Sequence, residues 1–400
     1  MTVLAPHVLI AGAGPVGMVS ALKLAKAGIR VTVLERAENL AEDLRASTFH
    51  PPTLDLLAPF GFNARLIEQG LIARYTQQRD RVEGLVAEFD MDLLKDETGH
   101  PFRLQCEQWK LTRLLKEQID LLPNATVVFG ATVKAVTQDT DSVSVTAEVG
   151  GQERAYTGDY LIGADGARSV VRQAMGIEFE GFTYPERFLV VSTDFEFADH
   201  FPHLSYVNYL SDPQEWCVLL RVPTLWRVLF PTTPEESDEE VMTDASIQAR
   251  LQKLLPRDVP YSTVHRTLYN VHQRVAREFR KGRVLIAGDA AHINNPLGGM
   301  GMNGGVQDAF NLCGKLIEVL QNGAGAELLD RYERQRRAVA IEYINANTQR
   351  NKKNLEERDP VARKKTHDEL RAIAANPAAA KAYLRKTSMI DALERAESIA

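Results

Sequence analysis

The sequence predicts an α/β fold joined to a mainly antiparallel sheet and to a helical C-terminal region. Near the start, the apolar run His7–Ala11 leads through glycines into a helical pattern and then into a second apolar run. Residues 176–278 lose this alternation and contain successive strand-like runs with many aromatic residues. Residues 346–400 combine mixed charges with strong helix formers, which is typical of solvated helices.

The length and composition are those of a globular protein with more than one domain. The chain has 400 residues, of which 44% are apolar and 25% are charged, and its formal net charge is -6. This acidic balance argues against a nucleic-acid partner, which would require a basic surface. No apolar run approaches the roughly 20 residues of a spanning helix, so no membrane span is expected.

Cysteine spacing and the N-terminal segment indicate the compartment. The cysteines stand far apart and show neither metal-ligand nor redox spacing: Cys106, Cys217 and Cys313. We therefore expect buried thiols, a reducing compartment and no metal site. Residues 1–7 lack the basic region of a signal peptide, and glycines interrupt the apolar run that follows. These features favour a cytoplasmic protein, and a homodimer is compatible with them.

The first motif is Gly12-Ala-Gly-Pro-Val-Gly17, between an apolar run and a helical pattern. The next apolar run ends in Glu35, about twenty residues after the motif, so the unit is a complete dinucleotide-binding βαβ unit. Gly12 permits the tight turn, Gly14 lets the backbone approach a pyrophosphate, and Gly17 lets the helix pack closely. The carboxylate of Glu35 can accept from ribose hydroxyls and disfavours a 2′-phosphate. FAD or NAD is therefore expected rather than NADP.

Two further strands end in an acid. The run Tyr160–Gly163 leads to Asp165, whose carboxylate could bind a ribose or could serve only as a helix cap. The run 284–287 leads to Asp289, then to a proline-anchored glycine loop, and then to a helix predicted from Val306 to Leu320. This order aims a carboxylate and free backbone N–H groups at one polar, electron-poor ligand.

Other candidate residues have two interpretations each. Arg45 could clamp a phosphate or could be an ordinary surface arginine, and His50 could be a base or a packed histidine. In the antiparallel region, Tyr206, Trp216 and Arg221 could line an apolar pocket or could belong to ordinary sheet packing.

Taken together, the three motifs resemble in order and spacing the class A flavoprotein aromatic monooxygenases, the family of para-hydroxybenzoate hydroxylase. The resemblance covers about residues 5–345, and the last ~50 residues match no family feature. It implies a Rossmann-type FAD-binding domain. The residues that would bind FAD are Gly12, Gly14, Pro15, Val16, Gly17, Glu35, Arg36, Arg45, Gln108, Asp165, Asp289, Gly299, Gly301, Met302 and Asn303.

The resemblance also implies a reaction. NADH or NADPH reduces FAD, O2 adds at flavin C4a to give a hydroperoxide, and its distal oxygen passes to an electron-rich aromatic ring. A phenol or a hydroxylated aromatic acid is the expected substrate. Pro296 would lie where the peroxide forms, and His50 would act as the base that generates the phenolate. Tyr206, Trp216 and Arg221 would contact the substrate, and either Arg221 or Arg227 would pair with a carboxylate or nitro group.

The expected domains interleave along the chain. The FAD-binding domain comprises residues 1–75, 104–178 and 265–345, the substrate-binding domain residues 76–103 and 179–264, and a helical region residues 346–400.

Three other functions remain open at this point. A flavin halogenase would carry a Trp-x-Trp-x-Ile-Pro segment, which the isolated tryptophans of this chain do not form. A reductase or dehydrogenase of the same fold would act on prenyl-type lipids. A catalytically silent FAD-binding protein would have no need of the loop at residues 296–303.

Overall fold

The computed structural model describes residues 5–42 and 46–400. Its strands are β1 (His7–Ala11), β2 (Arg30–Leu34), β3 (Thr48–Phe49), β4 (Leu71–Ala73), β5 (Tyr75–Asp80), β6 (Gly84–Asp90), β7 (Arg103–Gln105), β8 (Ala125–Val128), β9 (Ala131–Gln138), β10 (Val143–Val149), β11 (Gln152–Gly158), β12 (Tyr160–Gly163), β13 (Phe179–Thr193), β14 (Val207–Ser211), β15 (Cys217–Arg221), β16 (Trp226–Pro231), β17 (His265–Ala276), β18 (Arg280–Lys281), β19 (Val284–Ile286) and β20 (His292–Ile293). Its α-helices are α1 (Pro15–Lys26), α2 (Pro51–Leu57), α3 (Asn63–Glu68), α4 (Gln108–Ile119), α5 (Val170–Ala174), α6 (Asp238–Val241), α7 (Asp244–Leu254), α8 (Met300–Gln321), α9 (Leu328–Val339), α10 (Ala346–Glu356), α11 (Pro360–Ala375), α12 (Pro377–Thr387) and α13 (Ile390–Glu397).

A six-stranded sheet supports the three motifs, in the order β18, β19, β12, β1, β2, β8. From β19 to β8 every neighbouring pair is parallel. All residues of β1 are buried, as expected for a parallel strand covered on both faces, and α1 packs against both α4 and α8. Because β19, β12 and β1 are adjacent and parallel, the chain segments that follow them leave the sheet side by side. Gly12, Asp165 and Asp289 therefore meet at one edge.

A larger, eight-stranded sheet has the order β20, β17, β13, β16, β15, β14, β5, β6. Its neighbours are antiparallel except β14 and β5, which are parallel. Its side chains alternate between two faces. The outer face packs Leu189, Val191, Leu219 and Val228 against α6 and α7. The inner face packs Phe188, Val190, Val218 and Leu229 against Leu297, in the loop after β20.

Two small sheets complete the strand layers. In one of them β7 lies between β3 and β4, and β3 pairs with β7 through Thr48 with Gln105 and Phe49 with Leu104. If the same antiparallel register continues by one residue, His50 lies opposite Arg103. The other consists of β9, β10 and β11.

The structure differs from the sequence expectations in three places. Helix α8 begins at Met300 rather than at Val306, because packing outweighs the low helix propensity of its glycines. Strand β17 pairs with β13 in the larger sheet, so we propose a domain border after Ala276 rather than before His265. A π-helical turn, Ala340–Asn345, separates α9 from α10, whereas the sequence pattern predicts one long polar helix from Leu328 to Gln349.

The C-terminal helices pack onto the rest of the chain. Helix α13 lies against α9, and α11 lies against β6. All three cysteines are buried and unbonded, as expected. Among the described residues, every helix is too short or too polar to span a membrane.

Candidate active site

The first glycine turn has the steric requirements that its motif predicts. A Cβ on Gly12 would overlap the carbonyl oxygen of Ala164, and one on Gly17 would overlap that of Gly12. Gly12 also has a φ of +99°, which an L side chain rarely adopts. Gly14 faces open space, since no described atom beyond its chain neighbours lies within 4 Å of its Cβ position. The turn therefore leaves room for a ligand at Gly14 alone.

Glu35 ties the end of β2 to this turn. One of its carboxylate oxygens, Oε2, accepts from the N–H of Ala13 at 2.7 Å, and Oε1 accepts from the N–H of Ala37 at 2.9 Å. Each carboxylate oxygen has further lone-pair capacity, so the group can still accept from a ribose hydroxyl. Arg36 is exposed beside it.

Pro15 and Val16 open α1 against the third motif. Pro15 occupies the first helical position, where its missing N–H costs no hydrogen bond. The Val16 side chain fills the space that a Cβ on Gly288 or on Gly305 would need. The two glycine motifs are therefore in direct contact. Gln108 begins α4 and is half-buried, whereas Arg45 lies outside the described residues.

Asp165 carries an unused acceptor in the same cleft. Its Oδ2 accepts from the N–H of Val171 at 3.1 Å. Its Oδ1 is buried and has no hydrogen-bond partner among residues 5–42 and 46–400. The cap of α5 is Ser169, which accepts from the N–H of Arg172 at 2.9 Å. A buried carboxylate oxygen requires a donor, so the geometry fits a hydroxyl of a bound dinucleotide.

The third motif presents an acid and a helix N-terminus together. Asp289 is exposed one residue after Gly288, whose φ is +60°. Gly299, with a φ of +68°, caps the start of α8, and Gly301 and Met302 follow, half-buried, in its first turn. The N–H groups of a first turn have no partner within the helix, and the helix dipole makes that end positive. This end can stabilise negative charge on a bound ring system.

A buried ionic cluster lies behind this motif, and nothing in the sequence patterns pointed to it. Asp308 is fully buried; its Oδ2 accepts from the N–H of Gly288 at 3.0 Å and lies 2.7 Å from Nε2 of His292. Its Oδ1 accepts from Nε of Arg336 at 2.6 Å, and Arg336 also donates to the carbonyl of Gly304 at 3.2 Å. Burial raises the pKa of Asp308, but His292 and Arg336 outweigh it, so the net pKa is lowered. The carboxylate stays ionised and fixes the turn.

His50 and Asn303 hold the proline–glycine loop. The amide Oδ1 of Asn303 accepts from the N–H of His50 at 2.8 Å, and its Nδ2 donates to the carbonyls of Thr48 and Gly299 at 2.8 and 2.6 Å. The Nε2 of His50 lies 2.8 Å from the carbonyl of Gly298. A carbonyl only accepts, so Nε2 carries the proton and Nδ1 is a lone-pair acceptor. The Asn303 side chain is therefore structural.

The ionisation of His50 does not match that of a strong base. The side chain is fully buried, and burial together with the nearby Arg103 lowers its pKa to about 3. Its Nδ1 has no hydrogen-bond partner in the described part of the chain. His50 is therefore a neutral acceptor at physiological pH.

Arg103 is a residue that the sequence interpretation missed. It is 3% exposed, it forms no ion pair with any described carboxylate, and its Nε has no described hydrogen-bond partner. Its remaining contacts are long: Nη1 lies 3.4 Å from the Tyr209 hydroxyl, and Nη2 lies 3.3 Å from the carbonyl of Thr387. A lone arginine in a three-residue strand gives no pattern in the sequence. Only the fold brings it beside His50.

The three predicted substrate contacts do not come together. Arg221 lies on the outer face of the larger sheet, where Nη2 is 3.2 Å from a carboxylate oxygen of Glu196. Tyr206 is 38% exposed at the start of β14. Trp216 is on the inner face but packs edge-on against Phe188, with ring centroids 5.3 Å apart. Strand alternation therefore places Arg221 on the face of the sheet opposite the loop that contains Leu297.

Comparison with known proteins decides the family. A family model described as FAD binding domain matches residues 6–347. The chain belongs to this family. Among its relatives, the para-nitrophenol 4-monooxygenase of Pseudomonas sp. (strain WBC-3) is 36% identical over 362 residues, which cover 89% of each chain. The 6-hydroxy-3-succinoylpyridine 3-monooxygenase of Pseudomonas putida (strain DSM 28022 / S16) is 34% identical over 358 residues, covering 88% of this chain and 90% of the relative.

A solved structure agrees with these relatives. The p-nitrophenol 4-monooxygenase from Pseudomonas putida DLL-E4 superposes with a TM-score of 0.92 and 32% identity, over 97% of this chain and 98% of the other. The predicted fold class, the resemblance to aromatic monooxygenases and the FAD cofactor are confirmed. The chain is a FAD-dependent aromatic monooxygenase.

Proposed function

We propose that this monooxygenase hydroxylates a phenol whose ring also carries a compact, oxygen-rich anionic or electron-accepting group, and that Arg103 binds that group. The observation that carries the proposal is the burial of the Arg103 guanidinium without a described carboxylate partner. An isolated cation inside a protein costs several kcal/mol, so such a group is retained where a ligand supplies the counter-charge.

The relatives support the combination of a ring hydroxyl with an oxygen-rich group, and para-nitrophenol among them supports a compact one. By their names, they act on para-nitrophenol, on 6-hydroxy-3-succinoylpyridine and on 3-(3-hydroxyphenyl)propionate. Each name combines a hydroxyl on an aromatic ring with a nitro or carboxylate group elsewhere in the molecule. The planar guanidinium of arginine matches either group with two parallel N–H donors.

The cofactor-binding residues have distinct roles in the proposal. When bound and reduced by NADH or NADPH, FAD would supply the chemistry that activates O2. Glu35 and Asp165 would accept from its hydroxyl groups, and Asp289 would accept from the ribityl chain. The first-turn N–H groups near Met302 would stabilise negative charge on the reduced ring, and Pro296 would present a wall without an N–H donor. The half-buried surface of Pro296 supports this placement.

The role of His50 changes from a base to a neutral acceptor. With a pKa of about 3, its imidazole cannot hold a proton taken from a phenol at neutral pH. Its free Nδ1 can accept a hydrogen bond from the substrate hydroxyl and so orient the ring. In this proposal His50 positions the hydroxyl by accepting its hydrogen bond and does not take its proton.

The test is aerobic oxidation of NADH and NADPH by the FAD-loaded enzyme, with 4-nitrophenol, 4-hydroxybenzoate and unsubstituted phenol. We expect the two substituted phenols to stimulate oxidation and to give a hydroxylated product. Arg103→Met should raise the KM of both substituted phenols by roughly tenfold to a hundredfold, because a charge-assisted hydrogen bond is lost. Arg221→Met is the matched control and should change KM little. Peroxide without product for all three phenols would overturn the proposal.

A further inference from the structure

Helix α12 reaches the substrate anchor although it belongs to the C-terminal region. The carbonyl of Thr387, its last residue, accepts from Nη2 of Arg103 at 3.3 Å. The helix is held in place by ion pairs to the segment after β6: Lys381 lies 2.7 Å from Asp96, and Arg385 pairs with Glu97. Several pairs acting together hold an element better than one exposed pair does. The position of α12 beside Arg103 is therefore fixed.

Tyr383 lies one turn before Thr387 in α12 and packs against an apolar cluster that includes Phe89. Its ring stacks on Phe89 with centroids 4.3 Å apart, and its hydroxyl is 3.5 Å from Nε2 of Gln78 on the inner side of the sheet. Burial raises the pKa of Tyr383, Tyr209 raises it further, and Arg103 lowers it. The side chain nevertheless keeps part of its surface accessible. The Tyr383 ring therefore lies on the inner side of the larger sheet, one helical turn from the carbonyl that contacts Arg103.

The chain after Thr387 connects α12 to the start of α8, which follows the loop that contains Pro296. Met389 has a φ of +67°, an uncommon backbone conformation for a side chain other than glycine, and it is 2% exposed. It packs in one cluster with Met300, the first residue of α8, and with Ile344 of the π-helical turn. Such strain persists only where surrounding contacts over-determine the backbone. The turn is therefore anchored to the loop that carries Pro296.

We infer that Tyr383 is a specificity-determining residue, whose ring bounds the space for the substituent that Arg103 binds. This inference rests on the proposed function, because it takes Arg103 as the substrate anchor. In it, the C-terminal helices form the wall that limits the length of the group opposite the substrate hydroxyl. Compact groups such as nitro or carboxylate fit, and a longer carboxylate chain collides with the Tyr383 ring.

The test compares two phenols on the FAD-loaded enzyme: 4-nitrophenol and 3-(4-hydroxyphenyl)propionate. The ratio of their kcat/KM values is measured for the wild type, Tyr383→Ala, Tyr383→Trp and the exposed-tyrosine control Tyr75→Ala. Their Kd values are measured without nicotinamide from the change in the visible spectrum of the oxidised flavin. We expect Tyr383→Ala to shift both ratios toward the longer phenol by about tenfold or more, as for added space in a substrate pocket. Tyr75→Ala should leave them unchanged.

Tyr383→Trp keeps the inference testable if the alanine variant does not fold, because it retains an aromatic ring on Phe89. It should weaken binding of the longer phenol more than that of 4-nitrophenol. Unchanged ratios in a folded Tyr383 variant, combined with a raised KM in Arg103→Met, would overturn this inference alone. Unchanged binding of both phenols in Arg103→Met would overturn the proposed anchor itself.

Discussion

The FAD cleft and the substrate side of this enzyme are built in different ways. The cleft consists of backbone turns at the ends of β1, β12 and β19, with glycines where a Cβ would meet another chain segment. The substrate side that we propose consists of single side chains from distant segments, such as Arg103, Tyr209 and Tyr383. On these assignments, cofactor binding depends on local turns, whereas substrate choice depends on tertiary contacts. The comparison explains why relatives can share FAD and differ in substrate.

The first prediction concerns Asp308, whose carboxylate accepts from the N–H of Gly288 in the FAD cleft. Asp308→Asn leaves the Arg336 guanidinium, which is 1% exposed, without its carboxylate. We expect the free energy of unfolding to fall by about 3–5 kcal/mol, as for other broken buried pairs. FAD affinity should fall as well, because Gly288 loses an anionic acceptor. Chemical denaturation and flavin fluorescence titration measure the two effects. Asp330→Asn, at a more exposed pair with Arg280, is the control and should change neither.

The second prediction separates protein packing from cofactor contact within one motif. Gly17→Ala should destabilise the apoprotein by about 1–3 kcal/mol, because its Cβ would overlap the carbonyl of Gly12. Gly14→Ala should leave apoprotein stability unchanged and weaken FAD binding, because its Cβ meets only the space assigned to the pyrophosphate. Thermal unfolding with and without FAD distinguishes them. Equal loss of apoprotein stability in both variants would contradict the assignment of Gly14.

The third prediction concerns pH and the buried histidine. Because the folded pKa of His50 is about 3 and that of an unfolded histidine is about 6.5, the unfolded chain binds the extra proton between these values. The contribution of His50 to the free energy of unfolding is therefore fully present above about pH 6.5. It is lost by up to about 1.4 kcal/mol per pH unit as the pH falls to about 3. His50→Gln should lose this component of the slope, and exposed His265→Gln should keep it. A slope shared by His50→Gln and the wild type would contradict the pKa.

The smallest expected effect concerns Arg221, which lies on the face of the larger sheet opposite the loop that contains Leu297. Arg221→Met breaks a partly exposed pair with Glu196, which should cost at most about 1 kcal/mol of stability. Substrate KM should stay within about twofold of the wild type, a change below 0.5 kcal/mol. Steady-state kinetics with 4-nitrophenol checks this. A KM increase comparable to that of Arg103→Met would place the substrate on the other face of the sheet.

The same contrast explains what the sequence predicts well. Gly12, Asp165 and Asp289 follow apolar strands, and local spacing alone marks them as ends of parallel strands that carry ligand contacts. The sequence pattern predicts the start of α8 at Val306 instead of Met300, because Gly301, Gly304 and Gly305 have a low helix propensity that only packing overcomes.

The substrate side left no comparable pattern. Arg103 and Tyr383 stand 280 positions apart and become neighbours only when α12 docks beside β7. The sequence identifies His50 as a candidate site residue but does not reveal its ionisation state, because its pKa depends on burial and on Arg103 rather than on adjacent residues. Strand alternation alone does not say which face of the sheet meets the loop, so the sequence leaves open both Arg221 and Arg227, which lie on opposite faces.

The most direct measurement is a crystal structure of the FAD-loaded, oxidised enzyme with 4-nitrophenol bound. We expect the nitro oxygens to lie about 2.7–3.2 Å from the guanidinium nitrogens of Arg103. We also expect the phenol oxygen to lie within hydrogen-bond distance of Nδ1 of His50, and the Tyr383 ring to contact the nitro group. A substrate whose nitro group points to solvent or to another cation, with Arg103 left without an anionic or nitro partner, would contradict it.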